Sequence, residues 1–233
     1  MARRPKRKVT ASEIVIRTTD GVPICRIPPL LRQEMQYLWT RLEVHDGNVP
    51  RSVGLTSQLS GEGVSFTSRA LAAVLARHGA TCLVEANWWG EGLPLETTND
   101  GLAGVLQGSS DIDDVLVPTS HPGLSILPSG DLNVSGGSIV SNVDSMAPVL
   151  EVLHRRFTHA ILDLPAISTS ATALSFAAAA DASLLVVRQR VTHVDQVEGA
   201  VHDLRHTRLL GVVLNDNHLS MPNFLQRRLV PQS

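Results

Sequence analysis

Between Ser57 and Ser65 the chain reads Ser-Gln-Leu-Ser-Gly-Glu-Gly-Val-Ser, with the apolar run Ser-Val-Gly-Leu-Thr before it and Phe-Thr-Ser-Arg-Ala-Leu-Ala-Ala-Val-Leu after it. Such residues, set between a strand and a helix, suit the binding of a phosphate. Gly61 and Gly63 let backbone N–H groups converge on an anion with no Cβ in the way. A helix opening near Val64 turns the positive end of its dipole to the same point. Ser60, Gly61, Glu62, Gly63, Val64, Ser65 and Phe66 are therefore candidate phosphate-binding residues, and the Ser65 hydroxyl is a candidate ligand for Mg2+. The position at which such loops carry a lysine is Val64. No lysine occurs beyond Lys8, so any replacement cation there must be an arginine.

Three further strand ends fit the same chemistry. Asp163 ends the apolar run "AILD", where phosphate-loop proteins place a carboxylate that supports Mg2+. Glu85 and Asn87 end "TCLVEAN", and Asn215 ends "LLGVVLN", beside the place a nucleobase would take. A carboxylate after a strand also serves as a helix cap. The order of these residues on successive strands is what points to a nucleotide.

Elements that would position them follow from periodicity. "LLRQEMQYLWTRLEV" (30–44) carries Leu30, Leu31, Met35, Leu38, Trp39 and Leu42 as a helical stripe. From residue 52 strands and helices alternate. Strands are expected at "SVGLTS", "TCLVEA", "LSILPSG", "HAILDLP", "SLLVVRQ" and "LLGVVLND". Helices are expected at "SFTSRALAAVLARHG", "VDSMAPVLEVLHRRF" with Pro148 in its first turn, "SATALSFAAAADA" and "VDQVEGAVHDLRHT". In the last helix Val194, Val197, Val201 and Leu204 share a face. The strands are mostly continuous apolar runs, the mark of burial on both faces. The fold class is α/β, a doubly wound, mostly parallel sheet flanked by helices. Ligands of such folds sit beyond the carboxyl ends of the strands. Residues 1–27 read as a basic flexible tail with a short extended piece, and 28–233 as one domain.

Composition narrows the classes. The 233 residues, 43% hydrophobic and 18% charged, suit a globular chain with a proper core. No apolar run approaches the roughly 20 residues that span a bilayer, and "MARRPKRKV" is no secretion signal, which predicts a cytoplasmic protein. Cys25 and Cys82 form no disulfide or metal pattern and read as buried thiols. Residues 78–154 hold ten acids and no Lys or Arg, which excludes a nucleic-acid partner there. The first eight residues carry five cations, a solvated tail or an arm for an anionic membrane surface.

From about residue 30 the chain resembles the cytoplasmic ATPase domain of the bacterial tyrosine kinases of capsule and exopolysaccharide assembly, within the Min/Par-type deviant phosphate-loop class. The resemblance rests on "LTSQLSGEGVS", "LVEAN", "GLAGVLQGSSDIDDVLVPTSHPGLSILPSG", "FTHAILDLPAISTSATALSFAAAADASLLVVR" and "LLGVVLND", in that order. It implies ATP or ADP with Mg2+ as ligands and Asn215 near adenine. Ser65, Glu85 and Asp163 would be metal positions, with Glu85 and Asp163 catalytic if the protein is active. It also implies a membrane-embedded polysaccharide co-polymerase or export protein as partner, an inner-membrane periphery reached through it, and self-association. The departures weaken the kinase reading. The loop lysine is Val64, and Glu85 and Asn87 stand where the family has two aspartates. Tyr37 is the single tyrosine, so the tyrosine-rich tail is missing. In the family's oligomerising helix Glu34 is kept, while Tyr37 and Thr40 replace two arginines. A lost charge-assisted hydrogen bond is worth about 1.5–3 kcal/mol, and a lost electrostatic donor about 10²–10³ in rate. Weak or absent nucleotide binding and poor turnover are expected.

Three alternatives compete. One is a working ATPase with Glu85 and Asp163 on Mg2+ and an arginine for the lysine. Another is a Min/Par-type positioning protein. The third is a dinucleotide enzyme, since Glu85 follows Gly63 by twenty-two residues, but Phe66 occupies its third glycine position and the loop turns too late. His202 and His206 lie four apart on a helix without an evident third ligand. Trp88-Trp89 follow the second strand; at least one is expected to be exposed, covering the site or meeting a partner.

Overall fold

The structure is a computed structural model that describes residues 13–46, 49–90, 92–93, 95, 100–132 and 145–216. The basic stretch over 1–8 and "MPNFLQRRLVPQS" lie outside the described residues. Along the chain run β1 (Ile14–Arg17), β2 (Pro23–Ile27), α1 (Pro29–Asp46), β3 (Ser52–Ser57), α2 (Val64–Leu75), β4 (Thr81–Glu85), α3 (Gly101–Gln107) and α4 (Ile112–Val115). They continue as β5 (Val117–Pro118), β6 (Leu124–Leu127), α5 (Met146–Arg156), β7 (His159–Asp163), α6 (Thr172–Ala179), β8 (Ala182–Arg188), α7 (Val194–Asp203) and β9 (Leu209–Asn215), with a 3-10 turn at Leu204–His206.

Seven strands form one sheet in the order β5-β6-β4-β7-β3-β8-β9. All neighbours are parallel except β5, which lies antiparallel on β6 at one edge. The continuous apolar strands follow from this topology, because helices cover both faces. Val53, Leu55, Leu83, Ile161 and Leu184 point to the side held by α1 and α2, with Trp39, Met35, Leu71 and Leu75. Cys82, Val84, Ala160, Leu162 and Leu185 point to the other, with Leu150, Leu153, Phe176 and Ala200. Trp39 of α1 sets its ring edge-on to His159 at the start of β7, 4.9 Å between centroids.

The six expected core strands and four following helices are present, each within a few residues of its expected bounds. Pro148 lies in the first turn of α5, where a missing N–H costs nothing. Four points differ. Residues 14–27 are not tail but a hairpin, β1 against β2, whose Ile16, Ile24 and Ile27 enter the core. The prolines that suggested interruption stand at strand ends: Pro23 opens β2 and Pro28 follows it. Arg17 and Ser120 exchange hydrogen bonds that tie the hairpin to the edge beside β5. In α1, Leu30 is exposed, because the buried side is centred on Met35 and Trp39. In α7, Val194 and Val201 are exposed, and the buried line runs through Val197, Ala200 and Leu204. Finally, Cys82 is buried, its thiol pushed by burial up to about 12, while Cys25 is only partly covered.

Candidate functional site

The interior strand β3 delivers the loop 58–63 to the carboxyl edge of the sheet, between the ends of β7 and β8. Gly61 (φ 82°) and Gly63 (φ 92°) take left-handed conformations that turn the chain into α2. Gly63 has a second reason to be glycine: a Cβ there would lie 2.0 Å from Asn215 Nδ2. Helix α2 starts at Val64 with no side-chain cap, and its first ladder bond is Thr67 N to Gly63 O at 3.0 Å. The amides of Val64, Ser65 and Phe66 are thereby left without partners inside the helix. A cavity of about 340 Å³ opens in front of them, and Ser60, Gly61, Gly63, Val64, Ser65 and Phe66 border it.

The loop is pinned from behind. Glu62 is 1% exposed, its carboxylate turned inward. It accepts from Leu59 N at 2.9 Å, from Arg188 N at 3.4 Å and from the Thr192 hydroxyl. Asn215, at the end of β9, donates Nδ2 to Glu62 O at 2.9 Å. So the glutamate and asparagine named as nucleotide contacts spend these side-chain groups on the loop itself. Ile167 N and Ser168 N bond to Ser57 O and Gln58 O, fixing the base of the loop to the segment after β7.

Val64 is 7% exposed, packed with the α1–α2 side of the core and bordering the cavity, so an apolar isopropyl group stands where a cation would act. On the far side the carboxylates gather. Glu85 and Asp163 are neighbours in the β4–β7 register. Asp163 is 2% exposed; burial pushes its carboxyl up to about 6, opposed by a hydrogen bond from Ser65 and by nearby Arg69. Its Oδ1 is buried without a hydrogen-bond partner. Burial pushes Glu85 up to about 7, against the attraction of Arg69. Arg69 Nη2 lies 3.5 Å from Glu85 Oε1. Ser65, Glu85 and Asp163 therefore stand side by side, and the cation that meets them is a guanidinium. The ion pair divides two spaces: Arg69 borders the larger cavity, and Glu85 borders a smaller one of about 180 Å³ near Leu93 and Ser129.

Arg69 is the residue that sequence motifs passed over. One signal was available, a lone charge four residues after Ser65 on an otherwise uncharged helix, which faces the same way as Ser65. The two indoles split as expected. Trp88 is half-buried and donates Nε1 to Ser129 O, while Trp89 is 47% exposed, perpendicular to it and beside the cavity with Phe66. His202 and His206 are exposed, and no group of three or more metal-ligating side chains occurs among the described residues.

No protein-family model matches the chain. Tyrosine-protein kinase CpsD of Streptococcus agalactiae is 28% identical over 185 residues, 76% of this chain and 80% of that protein. Tyrosine-protein kinase YwqD of Bacillus subtilis is 29% identical over 230 residues, 94% and 93% of the two chains. The succinoglycan biosynthesis transport protein ExoP of Rhizobium meliloti is 28% identical over 183 residues, which are 75% of this chain and 23% of that longer one. The fold is that of the VpsO kinase domain, with a TM-score of 0.70 at 23% identity over 81% of this chain and 96% of that one. It is also that of the septum site-determining protein MinD of Pyrococcus horikoshii complexed with Mg-ADP, with a TM-score of 0.56 at 16% identity over 76% of each. The chain is a homologue of the bacterial tyrosine-protein kinases, built on a phosphate-loop NTPase fold.

Proposed function

We propose that the protein serves exopolysaccharide or capsule synthesis or export as a binding component, docking on a membrane-embedded co-polymerase, and that it binds nucleotide weakly and turns it over poorly. One observation carries this reading: the loop keeps the backbone of a phosphate cradle while the buried Val64 fills the lysine position. The relatives supply the setting, tyrosine-protein kinases and a succinoglycan transport protein. No helix among the described residues is long and apolar enough to cross a membrane.

The test is genetic and separates binding from turnover. A strain lacking the gene is complemented with wild type or with Glu85→Gln/Asp163→Asn. Equal polysaccharide output from both supports a binding role; output lost with the variant, at normal protein level, refutes it. In vitro, Val64→Lys should tighten ADP by about 10- to 100-fold, the worth of one charge-assisted hydrogen bond. A second reading, an active ATPase with an arginine for the lysine, draws on Arg69 at the cavity wall. An ordinary kinase-family ATPase rate in wild type would favour it.

A further inference from the structure

Arg69 is the one cation among the described residues that borders the larger cavity. Its side chain is 17% exposed and meets Glu85 at 3.5 Å, and its charge is felt by Asp163 as well. Its Nε is buried without a hydrogen-bond partner. A guanidinium has five N–H donors in a planar fork, permanently charged and matched to phosphate oxygens. Glu85 engages only part of that fork, and Val64, Ser65 and Phe66, whose amides have no partner inside the helix, border the same cavity.

A Mg2+ ion in a phosphate-loop site rests on one or two carboxylates and the phosphate oxygens. Here Glu85 already faces a cation that cannot lose its proton, and Asp163 receives the Ser65 hydroxyl. Ser65, Glu85 and Asp163 do not fit a resident metal while Arg69 sits among them. Asp163 Oδ1, buried and unpartnered, is the atom a metal would claim once that guanidinium is gone.

We propose that Arg69 stands in for the divalent cation, so that the cradle takes the diphosphate of a nucleotide without metal. This rests on the reading above that residues 57–65 remain an anion cradle. The guanidinium supplies the positive charge that the lysine and the metal would otherwise share.

The test is titration calorimetry of ADP into the full-length protein, in Mg2+ and in EDTA. Wild type should bind equally in both, within a margin well below the tenfold that about 1.4 kcal/mol represents. Arg69→Gln should weaken binding in EDTA by about 10- to 100-fold, from the loss of a charge-assisted bond, and regain part of it when Mg2+ is added. Arg69→Lys, which keeps the charge, should retain metal-free binding, and it decides the matter if Arg69→Gln does not fold. Wild-type binding at least about tenfold weaker in EDTA would overturn the substitution of Arg69 for the metal while leaving the cradle intact. Metal-free binding unchanged in folded Arg69→Gln would do the same. No ADP binding under either condition would remove the cradle itself, and this proposal with it.

Discussion

The two sides of the loop are built on opposite terms. Toward β8 and β9, Glu62 has three donors on its carboxylate and Asn215 closes over Gly63. Toward β4 and β7, Glu85 and Asp163 are buried at neighbouring register positions with one arginine between them and the cavity, and Asp163 Oδ1 and Arg69 Nε have no partner. The first side is a satisfied network and holds shape. The second keeps charges at the cost of burial, which a fold gains nothing from unless something binds there. The difference assigns the roles: the β8–β9 side is scaffold, and the β4–β7 side is where an anion would be met.

The charged side should show itself in pH dependence, the largest effect expected. Glu85 titrates near 7 and Asp163 near 6 in the folded protein, above the ordinary 4.5 and 3.8. Between those limits the folded state holds protons that the unfolded chain has released. Stability contributed by these groups is therefore whole below about pH 4 and falls as pH rises through about 7. Denaturant unfolding at about pH 5 and about pH 8 should differ by roughly 3 kcal/mol, with the alkaline sample weaker. Glu85→Gln should flatten the upper part of that slope. His154 and His159, held below the usual histidine range by burial, pull the slope the other way, so the comparison is with the variant: identical profiles for wild type and Glu85→Gln would mean that the Glu85 carboxylate is solvated, and the contrast between the sides would disappear.

On the scaffold side, Glu62→Ala removes the acceptor shared by Leu59 N, Arg188 N and the Thr192 hydroxyl, of which the last two keep second acceptors in Thr192 Oγ1 and Arg188 O. The expected loss is about 1.5–3 kcal/mol, the worth of hydrogen bonds to a charged acceptor. Gly63→Ala should cost about 1–3 kcal/mol, since the left-handed φ of 92° is strained for any side chain and the new Cβ meets Asn215. Chemical denaturation measures both. A loss under about 0.5 kcal/mol for either would place it among ordinary surface changes and mark the scaffold as loose.

The same division decides what was legible in the sequence. The sheet and its main helices could be read because the core strands are mostly continuous apolar runs and local stop signals such as His78-Gly79 separate them from the helices. The loop could be read from Gly61 and Gly63, whose backbone freedom is local. Two things could not. The hairpin at 14–27 owes its place to core contacts of Ile16, Ile24 and Ile27 with residues far along the chain, and its prolines mimic a tail. Arg69 gains its meaning from Glu85, sixteen positions on and on another element, a pairing that only the α2–β4 geometry creates. Likewise, the sequence offers Glu62 as a ligand residue because its type and place fit, while the inward turn of its carboxylate depends on Thr192 and Arg188, which no motif connects to it.

The smallest effect is also the sharpest probe of the scaffold. Asn215→Ala removes one half-buried hydrogen bond, to Glu62 O, and should cost about 1 kcal/mol. It also removes the atoms that a Cβ at residue 63 would strike. In a double-mutant cycle, Gly63→Ala with Asn215→Ala should therefore lose less than the sum of the two, by about 0.5 kcal/mol or more, because the steric part of the first change vanishes and only the left-handed backbone strain remains. Strict additivity would mean that Asn215 and Gly63 do not touch, and that β9 leaves the loop free to choose its shape when an anion arrives.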